Sequence, residues 1–144
     1  MSKLPRTRTW YTKELLKIAK NCAKERDRWI CQKCGAEVSG RNAHGSHVLN
    51  VGGYKYMELD PNNIKCLCQT HHMRWWHKDP TDAGTWFKKR FPVRWRYLKM
   101  MRQMKLRITT VEMHELWEGM KGKDVKEYGV MYAELIEQKL KEQE

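Results

Sequence analysis

Cys31 and Cys34 stand two residues apart and are followed by Gly35, and the same spacing returns in Cys68 and His71. Three thiolates and one imidazole form a soft to borderline ligand set that suits tetrahedral Zn2+ in a closed structural site. Each half reads as a knuckle, a tight turn that lets two side chains converge on one ion. Gly35 can take the backbone angles such a turn demands. A redox pair or merely buried cysteines would explain single pairs, but a Cys pair, a glycine and a distant Cys-His pair together point to zinc. Of the two remaining cysteines, Cys66 reads as a small buried residue of a connecting strand, and Cys22 as packing on a helix.

A second constellation remains once these ligands are set aside: His44, His47, Asn62, Asn63, His72 and His77. Residues 42–51 read as a strand running into a turn at Gly52 and Gly53, with residues 54–57 as a return strand or loop. The segment after His71 reads as a helix, with Thr70 as its N-cap and Asp79-Pro80 as its stop. A hairpin and a helix clamped at their root by zinc would set His72 beside the strand that carries His47. One divalent ion and one phosphate would fit such a site.

On these residues the chain resembles the HNH endonucleases of the ββα-metal type, in the zinc-stapled form of small bacteriophage proteins. His47, Asn63 and His72 take the places of the H, N and H, and the likeness spans roughly residues 26–80. Asn63 is preferred to Asn62 because it stands five residues before Cys68, where the family pattern puts its amide. The resemblance implies a DNA phosphodiester hydrolase with His47 as general base on water and Asn63 holding the His47 ring. His72 would be a ligand of a catalytic metal, and the products would carry 5′-phosphate and 3′-hydroxyl ends. Mg2+ or Mn2+ is the expected catalytic ion, with Zn2+ or Ni2+ as the alternatives that imidazole ligation suggests. Many relatives carry Asp or His just before the catalytic histidine as a metal ligand, and here that position is Ser46. His44 shares a strand face with Ser46 and is one candidate to replace it. His77 is another, although on a regular helix it would lie some 140 degrees around from His72.

Composition agrees with a compact nucleic-acid enzyme. A chain of 144 residues with 40% hydrophobic content buries a modest core, so zinc is expected to stabilise the middle region. An odd number of cysteines, five, with three of them spaced as metal ligands, argues for a reducing compartment. Neither a leader nor a membrane span is read, and a cytoplasmic place in a bacterial host cell is expected. The formal net charge of +12 is uneven. Residues 1–30 carry 9 basic against 3 acidic side chains, residues 31–80 carry 6 against 4, residues 81–108 carry 9 against 1, and residues 109–144 carry 5 against 9. Positive flanks around a nearly neutral centre suit a polyanion. Lys88, Lys89, Arg90, Arg94 and Arg96 alternate with aromatics and are the expected nucleic-acid contacts.

The fold class expected is α+β, a mostly helical chain with a small zinc-stapled ββα core. Residues 1–27 would supply a basic helix packed on the core, with apolar Leu15, Ile18, Ala19 and Cys22. Residues 28–80 would form the core and residues 81–144 a helical extension, basic to 108 and acidic beyond. Thr81 would cap a helix through Arg90, and Pro92 would start the next, over residues 93–105. Thr109 with Glu112, and Asp124 with Glu127, read as capping boxes on either side of a break at Gly122. Leu116, Met120, Val130, Leu135 and Ile136 would pair these last helices within the chain or form a homodimer seam. Double-stranded or branched DNA is the expected partner, RNA remains open, and a recombination role rests on family context alone. The alternative reading is a zinc-dependent nucleic-acid-binding module without cleavage. A thiol redox protein built on Cys31 and Cys34 is a third.

Overall fold

The computed structural model describes residues 3–50 and 54–143. Helix α1 (Arg8–Arg26) begins at Thr7, whose hydroxyl accepts the Trp10 amide at 3.1 Å, and buries Tyr11, Leu15, Ala19, Cys22 and Ala23 along one stripe. It starts earlier than the apolar pattern because the Thr7 cap adds a turn. Asp27 closes it, and Arg28 and Trp29 then take left-handed φ values of 59° and 56° to reverse the chain.

The sheet has two strands, β1 (His44–His47) and β2 (Ile64–Leu67), antiparallel in the register His44↔Leu67, Gly45↔Cys66, Ser46↔Lys65 and His47↔Ile64. The strand expected at residues 54–57 is instead α2 (Lys55–Glu58), a single helical turn; the glycine turn expected before it lies outside the described residues. Tyr56 and Met57 explain the difference, because both are buried although adjacent. A strand would turn one of them outward. Cys66 sits where expected, buried in β2.

The segment His71–Trp76 is a π-helical turn, not an α-helix, and Thr70 does not cap it. Its closing bond runs from the His77 amide to the His72 carbonyl at 3.3 Å, five residues back. Helices α3 (Pro80–Arg90) and α4 (Pro92–Met104) follow as a corner around Phe91. Asp79, not Thr81, caps α3, with its carboxylate accepting the Asp82 amide at 3.2 Å. Pro80 favours this arrangement, since a proline in the first turn gives up no needed donor.

Helix α5 (Thr110–Met120) opens on the expected Thr109–Glu112 capping box. Helix α6 (Glu127–Glu142) does not use the second box: Asp124 accepts the Lys126 amide at 2.9 Å and makes a turn instead. Leu116, Met120 and Ile136 are buried inside the chain, Leu135 is partly buried, and Val130 alone of the expected seam is exposed. One hydrophobic core joins α1, α2, β2 and α3 to α6. A smaller cluster of Cys31, Val38, Ala43, Cys66, Leu67 and Cys68 lies beneath the knuckles. Among the described residues, no helix is long and apolar enough to cross a membrane.

Candidate functional site

The ligand atoms of Cys31, Cys34, Cys68 and His71 all lie within 4.8 Å of one another. His71 Nδ1 is 3.2 Å from Cys68 Sγ and 3.8 Å from Cys31 Sγ. A tetrahedron built on metal–sulfur bonds of about 2.3 Å has edges of about 3.8 Å, so this Cys3His cluster can hold an ion such as zinc. The first knuckle is shaped by the backbone. Gly35, at φ +77°, donates its amide to the Cys31 carbonyl at 2.8 Å, and Cys31 donates to Ala36. Burial raises the Cys31 thiol, but backbone amides around it, led by that of Cys34, outweigh this and hold it below the usual thiol range. Cys66 stays outside the cluster, and burial pushes its thiol up to about 11.

Above the sheet opens a cavity of about 650 Å³, lined by His47, His72 and His77 with Lys20, Lys88 and the rings of Trp76, Phe87 and Trp95. His47 Nε2 lies 3.0 Å from the Glu58 carbonyl oxygen. A carbonyl only accepts, so Nε2 carries the proton and Nδ1 keeps the lone pair. Burial lowers the His47 pKa below the usual imidazole value, so the ring is neutral at neutral pH.

Asn63 does not bond the His47 ring. Its Oδ1 accepts the Leu49 amide at 2.9 Å, and its Nδ2 donates to the Leu49 carbonyl at 3.3 Å and the Met57 carbonyl at 3.2 Å. Its amide is fully buried between the exit of β1 and α2, where three backbone groups satisfy it. It therefore fixes the loop that presents Glu58, and Glu58 fixes the ring. Asn62 contributes its amide to the Asp60 carboxylate at 2.8 Å and stays at the rim of another groove.

The π-turn brings His77 back under His72, with Nε2 to Nε2 at 2.9 Å, and His44 meets the other nitrogen of His72, Nδ1 to Nδ1 at 2.8 Å. His44 Nε2 lies 2.9 Å from the Arg41 carbonyl and must donate to it. The tautomers follow: His44 Nδ1 accepts from His72 Nδ1, leaving His72 Nε2 to face His77. His72 and His77 can therefore share an ion, while His44, on the far side of the His72 ring, orients it rather than binding the same ion. Burial first, then His77 and His44, pushes His72 down to about 4, which keeps it neutral as a ligand must be. Among the described residues no carboxylate lines the cavity, and these imidazole donors suit a borderline transition metal better than Mg2+.

Ser46 is buried away from the cavity, and its hydroxyl accepts from Lys65 Nζ at 3.0 Å. Lys65 also donates to the His47 carbonyl at 3.2 Å and lies 3.1 Å from the centre of the Trp76 ring. Burial sets its pKa well below the usual lysine value. This lysine braces β1 beneath the site, and only the strand register, which pairs it with Ser46, points to it.

Of the expected nucleic-acid contacts, Lys88, Lys89, Arg90 and Arg96 are exposed, with Lys88 at the cavity. Arg94 is drawn inward: its guanidinium lies 4.5 Å from the Phe91 ring centre and 5.1 Å from that of Phe87. Its Nε and one Nη are buried without a hydrogen-bond partner among the described residues, and burial brings its pKa down to about 10. The rings that could have stacked on bases instead hold Arg94. The chain matches no known protein family, no curated protein and no solved structure.

Proposed function

We propose that this chain is a metal-dependent endonuclease of the HNH, ββα-metal kind that hydrolyses DNA phosphodiester bonds. The observation that carries the reading is the state of His47: a neutral ring, fixed through Nε2 by the Glu58 carbonyl, with its Nδ1 lone pair unused among the described residues, in a cavity shared with His72 and His77. In this reading His47 Nδ1 takes a proton from water as the water oxygen bonds phosphorus. The bond to the 3′-oxygen then breaks, leaving a 5′-phosphate and a 3′-hydroxyl. A divalent ion held by His72 and His77 would neutralise charge developing on the phosphoryl and departing oxygens, with Mn2+, Ni2+ or Zn2+ fitting the imidazoles better than Mg2+. The exposed cations Lys88, Lys89, Arg90 and Arg96 would position the backbone.

The test is cleavage of supercoiled plasmid and of a branched oligonucleotide with each metal, wild type against His47→Ala. Loss of at least about a hundredfold in rate with DNA binding retained is the expected result. One observation favours a second reading, a zinc-dependent binding module without cleavage: Ser46, the usual ligand position, is tied to Lys65. Intact DNA in every metal beside salt-sensitive binding would decide for it.

A further inference from the structure

The cavity contains a cation that none of these roles uses. Lys20 lies on α1, half buried, and its stem crosses β1 at Gly45. A Cβ on Gly45 would come within 2.8 Å of Lys20 Cγ and 2.9 Å of its Cβ, so the absent side chain is what lets the lysine pass over the strand. The crossing restrains the stem, and Lys20 lines the cavity that holds His47 and His72. Among the described residues Lys20 takes part in no hydrogen bond or ion pair, whereas Lys17 on the same helix is paired with Glu14. Its charge is felt at both histidines, where it opposes protonation.

Lys88 reaches the same cavity from α3, so two lysines and three histidines line it, with no carboxylate among the described residues. Apolar walls from Trp76, Phe87 and Trp95 reduce the local screening. Lysines in a partly enclosed cavity whose described lining has no carboxylate set up a positive potential whose complement is a compact anion. We propose that Lys20 is the phosphate-binding residue of this cavity, holding a phosphoryl oxygen against His47 with Lys88 as the second cation. The identification of the phosphoryl group as part of DNA rests on the nuclease reading; the anion site itself rests on the cavity.

The test uses the zinc-loaded protein. Inorganic phosphate is titrated at fixed pH and ionic strength while the imidazole C–H resonances of His47 and His72 are followed by NMR, for wild type, Lys20→Met and Lys20→Arg. Methionine keeps the stem over Gly45 and removes the charge; arginine restores the charge. The expected result is a saturable shift in wild type, affinity weaker by about tenfold in Lys20→Met, and recovery in Lys20→Arg. If Lys20→Met loses its folded spectrum, Lys20→Gln takes its place. An unmoved wild-type spectrum, or a Lys20→Met response equal to that of wild type, overturns the inference. Plasmid cleavage by the same proteins separates the two ideas. A Lys20-dependent phosphate response without cleavage keeps the anion site and ends the nuclease reading. His47-dependent cleavage with wild-type rate and phosphate response in Lys20→Met ends the Lys20 role alone.

Discussion

His72 has both nitrogens engaged, one by His44 and one by His77, and its pKa falls from the ordinary 6.5 to about 4. In the metal-free site, the unfolded chain takes up a proton at this ring at a pH where the folded chain does not. Stability from this group is therefore complete above about pH 6.5 and is lost as pH falls toward about 4. The full shift is discounted because the ring is half exposed, leaving about 1–2 kcal/mol. Urea unfolding at pH 7.5 and pH 5, a window that covers a little over half of this loss, should thus show wild type losing about 1 kcal/mol more stability than His72→Asn; equal losses would remove the histidine from the acid response. At this scale the sequence was readable where chemistry is local. The Cys3His cluster announces itself by spacing, whereas Lys65 looks like an ordinary solvated lysine until β1 and β2 are paired. Lys20 likewise depends on Gly45, a glycine whose reason is tertiary.

Elements decide which of these residues meet. On an α-helix, His72 and His77 would face different ways; the π-turn, with its five-residue hydrogen bond, puts them together. No local propensity marks such a turn, and the regular-helix expectation fails there for that reason. The loop between β1 and β2 was legible only at its ends, because α2 exists to bury two adjacent side chains in a core built from distant helices. Asn63 ties both ends of that loop, so its replacement tests element geometry apart from chemistry. Asn63→Ala leaves the Leu49 amide and carbonyl without partners among the described residues, while the Met57 carbonyl keeps the Leu59 and Asp60 amides, which should cost about 1–3 kcal/mol. His47→Ala breaks one hydrogen bond at a cavity wall and should leave the unfolding midpoint in urea nearly unchanged. If the nuclease reading holds, both variants lose cleavage, but only Asn63→Ala also loses stability. Equal midpoints would show that the amide does not fasten the loop.

Across the whole molecule, the acidic C-terminal helices reach the site through the backbone. Tyr132 and Tyr128 of α6 donate their hydroxyls to the Tyr56 and Leu59 carbonyls, and Tyr56 donates to the Met101 carbonyl of α4. These bonds bracket Glu58, whose own carbonyl holds the His47 ring. The order of the His47 ring therefore depends on an acidic helix that carries no candidate catalytic residue. Tyr132→Phe tests this link. The substitution keeps the ring packing and leaves the buried Tyr56 carbonyl unpaired, at a cost of about 1–3 kcal/mol. A loosened Glu58 carbonyl would free the His47 ring to rotate and to lose its Nε2–H tautomer, so if the nuclease reading holds, turnover should fall several-fold while any DNA binding by the exposed basic residues of α3 and α4 holds steady. A structural role without this coupling predicts lower stability with an unchanged rate per folded molecule, which single-turnover cleavage measured well below the unfolding temperature distinguishes.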